Sequence, residues 1–225
     1  MSSSIRRREI VIALAAAPLL ATTAARAQAP SVPQAGTDYT VISNPQPTDV
    51  PGKIEVLDFF WYGCPHCYSF LPDLESWRKK QPADVDYRHV AVDFGDPARE
   101  VHSKIFYALQ ALGRVDDMHV KVFDAFHLKH LRLNDRDSAA DFMAANGIPR
   151  DKWLGAFDSF SVAGLVRRAR ITCQNYTIDG TPSLAIDGRY VTSPSIVHTH
   201  TAAGALVAMS YLVEQARQDH AHRKS

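Results

Sequence analysis

Cysteine is scarce in this chain. There are three in 225 residues, an odd number and too few to staple a small scaffold together. An excess of either charge is also missing, since 25 lysines and arginines face 24 aspartates and glutamates. That balance gives no electrostatic footing for nucleic acid or for an anionic membrane surface. Long apolar runs are lacking too. The one extended run, Ile10 to Leu20, falls short of the roughly 18–20 residues needed to cross a bilayer, so no stable membrane insertion is predicted. No internal repeat or low-complexity tract interrupts the chain.

What the N-terminus does contain is an address. Arg6, Arg7 and Arg8 precede the short apolar run, and Ala25-Arg26-Ala27 supplies a small-residue cleavage pattern. The segment 1–27 reads as an export signal cut after Ala27, which places the protein in the periplasm. Arg7-Arg8 also resembles a twin-arginine signal, and either route leads out of the cytoplasm. Removal of the signal leaves 198 residues, enough for one sizeable domain or a domain with an insertion. The signal takes four arginines and one glutamate with it, leaving 21 basic and 23 acidic residues. An oxidising compartment allows one disulfide to persist, and Cys64 and Cys67 are the obvious pair.

Residues 28–38 are rich in proline and small side chains and predict a mobile lead-in. Residues 39–42 form a short strand candidate, and "KIEVLDFFWY" (53–62) has the continuous apolar character of a buried central strand. A helix follows from the cysteines, with Phe70, Leu71, Leu74 and Trp77 at helical spacing and Pro72 expected to kink it. Residues 85–94 predict the next strand. From Pro97 to about Arg170 strand signals stop, and four helices are expected at 101–112, 115–130, 138–145 and 151–160. A further helix, 162–176, leads to a hairpin at 183–191 with Asp187-Gly188 as a type I′ turn. Ser195 opens a terminal helix to about Gln218, ahead of a frayed tail. The order predicts an α/β protein: a thioredoxin-like domain (39–96 and 170–225) interrupted by a helical insertion (97–169).

Two cysteines one helical turn apart permit zinc binding, a structural staple, or a redox-active disulfide. Zinc needs four ligands, and Cys173 is remote, while His198 and His200, two apart on the expected helix, point to different faces. No metal is predicted, and no cofactor. A staple across so short a loop constrains the unfolded chain weakly. Disulfide exchange needs a thiolate near neutral pH, and a helix start supplies one with unpaired N–H groups and a positive dipole end. Cys64 is placed there as nucleophile, and Pro65 suits the first helical position. His66 adds an imidazole able to become cationic. Cys67 is placed to attack the mixed disulfide. Val162, Val166, Ala169, Cys173 and Tyr176 share one apolar helix face, which makes Cys173 a buried, inert thiol. The remaining histidines, from His89 to His222, read as surface or core residues.

"CPHC" behind an aromatic strand, the long helical block and "GTPSLAIDGRY" together resemble the DsbA family of periplasmic thiol:disulfide oxidoreductases, from about Tyr39 to Gln218. The resemblance implies an oxidase that donates the Cys64–Cys67 disulfide to reduced, unfolded exported proteins. It also implies reoxidation by a DsbB-like membrane quinone reductase, with the protein itself a monomer. Rival readings are a disulfide reductase or isomerase, and a peptide-binding chaperone without redox turnover. Thr181-Pro182 matches the family's cis-proline loop, which faces the CxxC and pairs with extended substrate through the Thr181 backbone. Asp58, out of place in "VLDFF", matches an acid of thioredoxin-like proteins that exchanges protons with the second cysteine, here Cys67, from a buried position with a raised pKa. Some members carry an acid four positions after that cysteine, where this chain has Leu71.

Overall fold

Strand β2 (Ile54–Phe60) is buried at all seven positions, as its nearly unbroken apolar run requires. It lies inside a five-stranded sheet of order β1-β5-β4-β2-β3. β3 (Val85–Ala91) runs parallel to it, and β4 (Ser183–Ile186) runs antiparallel on the other side. β5 (Tyr190–Thr192) and β1 (Thr40–Val41) complete the sheet, with β1 only two residues long. The computed structural model describes residues 32–222. The export signal and residues 28–31 of the lead-in lie outside them.

Helix α1 (Pro65–Arg78) is the crossover between β2 and its parallel neighbour. Pro72 sits inside it, and the helix runs on to Arg78 without the N–H that would have bonded the Tyr68 carbonyl. Five helices then follow: α2 (Pro97–Ala111), α3 (Val115–His127), α4 (Arg136–Ala145), α5 (Arg150–Phe157) and α6 (Phe160–Asn175). Asp96, Asp135 and Ser159 cap α2, α4 and α6 by accepting first-turn N–H groups. α6 runs straight through the boundary expected near residue 170, because its buried face continues to Cys173. The turn between β4 and β5 has φ of 52° at Asp187 and 67° at Gly188, the left-handed pair that a type I′ turn requires. A Cβ at Gly188 would also lie 2.0 Å from the Gln46 carbonyl oxygen.

Two apolar clusters sandwich the sheet. Ile54 and Val56 pack with Phe70, Leu74 and Trp77 of α1 and with Met209 and Leu212 of α7 (Ala202–His222). Leu57, Phe59 and Phe60 belong to a larger cluster that extends through Phe106, Phe123 and Trp153 into the helical block. The sheet and the inserted helices therefore share one continuous core.

Three expectations are corrected. The lead-in is anchored from Gln34 onward. Asp38 is buried, its carboxylate accepts the Gln34 N–H at 2.9 Å and meets His198 Nδ1 at 2.5 Å, and its carbonyl takes the Thr192 hydroxyl. Helix α7 begins at Ala202, not Ser195. Ser193 Oγ accepts the Ile196 N–H, His200 takes φ of 49°, and Thr201 Oγ1 accepts the Gly204 N–H, so turns occupy this β-branched stretch. His198 and His200 are accordingly not on a helix. The expected frayed tail is helical to His222, held by His220 on Asp187 and Arg217 on Asp84.

Candidate active site

The chain leaves β2 through Trp61, Tyr62 and Gly63 and turns into α1 at Cys64. The Cys64 N–H bonds the Trp61 carbonyl at 2.9 Å, and a Cβ on Gly63 would lie 2.4 Å from the Trp61 ring. Glycine is therefore the residue that lets the indole fold back over the turn. Cys64 has extended backbone angles (φ −81°, ψ 114°) and is the N-cap of α1, where serine or aspartate is usual. Its Sγ accepts the Cys67 N–H at 3.3 Å. Pro65 opens the helix where no N–H is needed.

The sulfur faces the loop before β4. Because Asp58 pairs with Leu184 and Phe59 with Ser183, the register of β4 brings Thr181 and Pro182 to the end of β2. The Thr181–Pro182 bond is cis, and the Thr181 carbonyl accepts from Cys64 Sγ at 3.4 Å. The two thiols differ sharply in acidity. The hydrogen bond from the Cys67 thiol, then the Thr181 side chain and the N–H groups of Cys67 and His66, outweigh burial and pull Cys64 down to about 5. Burial first, then the neighbouring Cys64 sulfur, pushes Cys67 well above the ordinary thiol range. Solvent exposure is alike, at 5 % for Cys64 and 4 % for Cys67, but burial weighs most on Cys67 while hydrogen bonds to the sulfur prevail at Cys64. His66 has an exposed ring and reaches the sulfur through its backbone.

Asp58 is buried at 3 % exposure, and its Oδ2 takes two contacts, from the Tyr87 hydroxyl and His89 Nδ1, both at 3.0 Å. Its Oδ1 is buried without a hydrogen bond among the described residues. His89 Nε2 lies 3.7 Å from Glu75 on α1. Burial opposes a charge on His89, but Asp58 and Glu75 prevail and raise its pKa, while the His89 hydrogen bond holds Glu75 down at about 2. His119 packs 4.5 Å from His89, ring to ring, and burial together with that neighbour keeps it neutral. A cavity of about 540 Å³ beside β3 is lined by Tyr87 and His89 but by neither Cys64 nor Cys67.

The partners of Asp58 were not visible in the sequence. Tyr87 and His89 alternate on β3, but only the strand register places His89 opposite Asp58. Leu71 is a core residue, 5 % exposed, and supplies no charge near the thiols. Cys173 is buried with the other four residues of its helix face, donates to the Ile178 carbonyl at 3.2 Å and is pushed up to about 11 by burial. It is placed as an inert thiol.

A low-pKa thiol capping a helix, one turn from a thiol that resists ionisation, is what dithiol–disulfide exchange requires of its protein. On this sheet and beside this loop, the pair makes the chain a thioredoxin-like protein disulfide oxidoreductase. The profile of the DSBA-like thioredoxin domain matches residues 98–206. Thiol:disulfide interchange protein DsbA of Burkholderia cepacia is 40 % identical over 187 residues, 83 % of this chain and 87 % of that protein. DsbA of Bordetella parapertussis is 42 % identical over 207 residues, 91 % and 96 % of the two chains. The crystal structure of Pseudomonas aeruginosa DsbA superposes with a TM-score of 0.78 at 35 % identity, covering 85 % of this chain and 97 % of that one. The chain belongs to the DsbA family of thiol:disulfide interchange proteins.

Proposed function

We propose that Cys64 and Cys67 form the redox centre of an exported disulfide oxidase acting on reduced, unfolded polypeptides in the periplasm. The observation that carries this reading is the unequal acidity of the two thiols, set by the cap of α1 and the Thr181 loop. A client thiolate attacks Cys64 of the Cys64–Cys67 disulfide, forms a mixed disulfide and releases the Cys67 thiolate, which takes a proton. A second client thiolate attacks the client sulfur, closes the client disulfide and releases Cys64 as a thiolate. The client loses two electrons and the enzyme gains them. Stabilisation of the Cys64 thiolate favours the reduced enzyme, at roughly 30 mV per pKa unit, and so drives oxidation of the client. DsbA proteins are themselves the standard illustration of that relation.

Pro65 starts the helix without an unpaired N–H, and His66 adds its N–H and, when protonated, a charge. Asp58 serves as the buried acid that exchanges a proton with Cys67. Thr181 and Pro182 receive the extended client. Cleavage after Ala27 would release the signal, residues 97–169 would act as the helical insertion, and the protein would work as a monomer. A DsbB-like membrane quinone reductase would accept the two electrons and restore the disulfide. The test is oxidative refolding of a reduced client beside insulin reduction, with Cys67→Ser to trap the mixed disulfide. Refolding should dominate, and reduced Cys67→Ser, whose Cys64 thiolate attacks an insulin disulfide and releases the other insulin sulfur as a thiolate, should accumulate an insulin adduct that no Cys67 resolves. Absence of any adduct sinks the mechanism, and insulin reduction without oxidative refolding would make the protein a reductase.

A further inference from the structure

Two tyrosines bracket the redox motif, and one helix of the insertion holds both. Tyr62 lies two residues before Cys64 and Tyr68 one residue after Cys67. The Tyr62 hydroxyl meets His119 Nδ1 at 2.9 Å, and its ring packs on Phe123. Tyr68 donates its hydroxyl to Asp124 at 2.8 Å, and its ring stacks on His127 at 4.7 Å and 12°. His127 itself donates from Nε2 to the Tyr62 carbonyl at 2.8 Å. All four partners belong to α3.

We propose that His127 is a positioning residue for Cys64, acting from α3 to fix the Tyr62 carbonyl and so the start of α1. The Trp61 carbonyl is tied within the turn by the Cys64 N–H. The Tyr62 carbonyl is tied by a residue 65 positions away. Its oxygen is the negative end of a peptide dipole close in sequence to the sulfur, and the imidazole N–H both occupies that oxygen and fixes its direction. Release of the carbonyl frees the peptide before Gly63, loosens the extended geometry of Cys64 and weakens the bond that its sulfur accepts from the Cys67 N–H. Stacking on Tyr68 holds the same imidazole against the first turn, so the insertion grips the motif from both sides.

This inference rests on Cys64 as the nucleophile, and the experiment separates the two. Thiolate absorbance is titrated in the reduced wild type, Cys64→Ser, His127→Ala and His127→Gln, alongside equilibration with glutathione and thermal denaturation. His127→Ala should move the Cys64 titration up by about half a unit to one unit, and shift the glutathione equilibrium roughly three- to tenfold toward the disulfide form. His127→Gln, which keeps an N–H for the Tyr62 carbonyl, should recover most of both shifts. Asp124→Ala, on the same helix as His127, removes the acceptor of the Tyr68 hydroxyl on α1, should shift the titration in the same direction by less, and reports if His127→Ala does not fold. A lower melting temperature with an unmoved Cys64 titration in both variants overturns the proposal, as does a glutamine variant no better than alanine. A low-pH titration that persists in Cys64→Ser removes the nucleophile assignment, and the positioning role with it.

Discussion

Reduction should change how the stability of this protein depends on pH. Cys64 is drawn from an ordinary value of 9.0 down to about 5 in the folded, reduced protein. A depressed acid stabilises the fold where the folded group is ionised and the unfolded group is not. The contribution is therefore complete above about pH 9 and is lost as pH falls through about 5. At pH 7 it amounts to about 2.7 kcal/mol, from roughly two pH units at 1.36 kcal/mol each. In the disulfide form neither sulfur has a proton to lose, so the contribution is missing, and Cys67, raised in the folded protein, ionises in the unfolded chain only near 9.0. The stability of reduced minus oxidised protein should thus rise by about 1.4 kcal/mol per pH unit between about pH 5 and about pH 8. Between pH 4 and pH 7 the melting temperature of the reduced form should gain roughly 5–11 °C on that of the oxidised form. Paired urea and thermal melts at pH 4, 5, 6, 7 and 8 measure it, with Cys64→Ser, which lacks the thiolate, expected to keep a constant difference from the oxidised wild type. A difference that stays constant across that range would refute the reasoning, because it would mean that Cys64 is not an anion at pH 7.

Three further outcomes follow from single contacts. Thr181→Val removes the hydroxyl that supports the thiolate and should raise the Cys64 titration by about half a unit to one unit, read by thiolate absorbance. Asp58→Asn should slow the steps in which Cys67 gains or loses its proton by roughly tenfold or more, read by stopped-flow oxidation of a client peptide across pH. Unchanged rates would confine Asp58 to holding His89 and Tyr87. Asp38→Ala should cost about 1–2 kcal/mol in urea denaturation and open residues 34–38 to proteolysis, since a buried acceptor for Gln34 and His198 is lost.

The sequence carried the local parts of this picture clearly. A nearly continuous apolar run predicted β2, the cysteine spacing and Pro65 predicted the start of α1, and Asp187-Gly188 predicted its turn. Each depends on residues within a few positions of one another. Contacts made across the sheet were hidden. His89 meets Asp58 through the register of β2 and β3, and neither the alternation of β3 nor the oddity of Asp58 specifies that register. The anchored lead-in depends on His198, 160 residues from Asp38, and so looked mobile from its composition alone. Helix α7 begins at Ala202 and not at Ser195 because the hydroxyls of Ser193 and Thr201 bond backbone N–H groups in turns, a competition that residue type alone does not decide.

The strand beside the redox motif also sets the order in which the protein can assemble. β2 acquires its parallel neighbour from the chain just downstream, but Leu57 pairs with Ala185 and Asp58 with Leu184, residues supplied only after the whole helical block. A chain emerging N-terminus first has Cys64, Cys67 and Cys173 available before β4 exists to complete the sheet. Closing the sheet over so long a loop is a slow, non-local step, and the thiols are exposed to one another until it is taken. The protein that supplies disulfides to others is thus itself open to a wrong pairing with Cys173 while it folds.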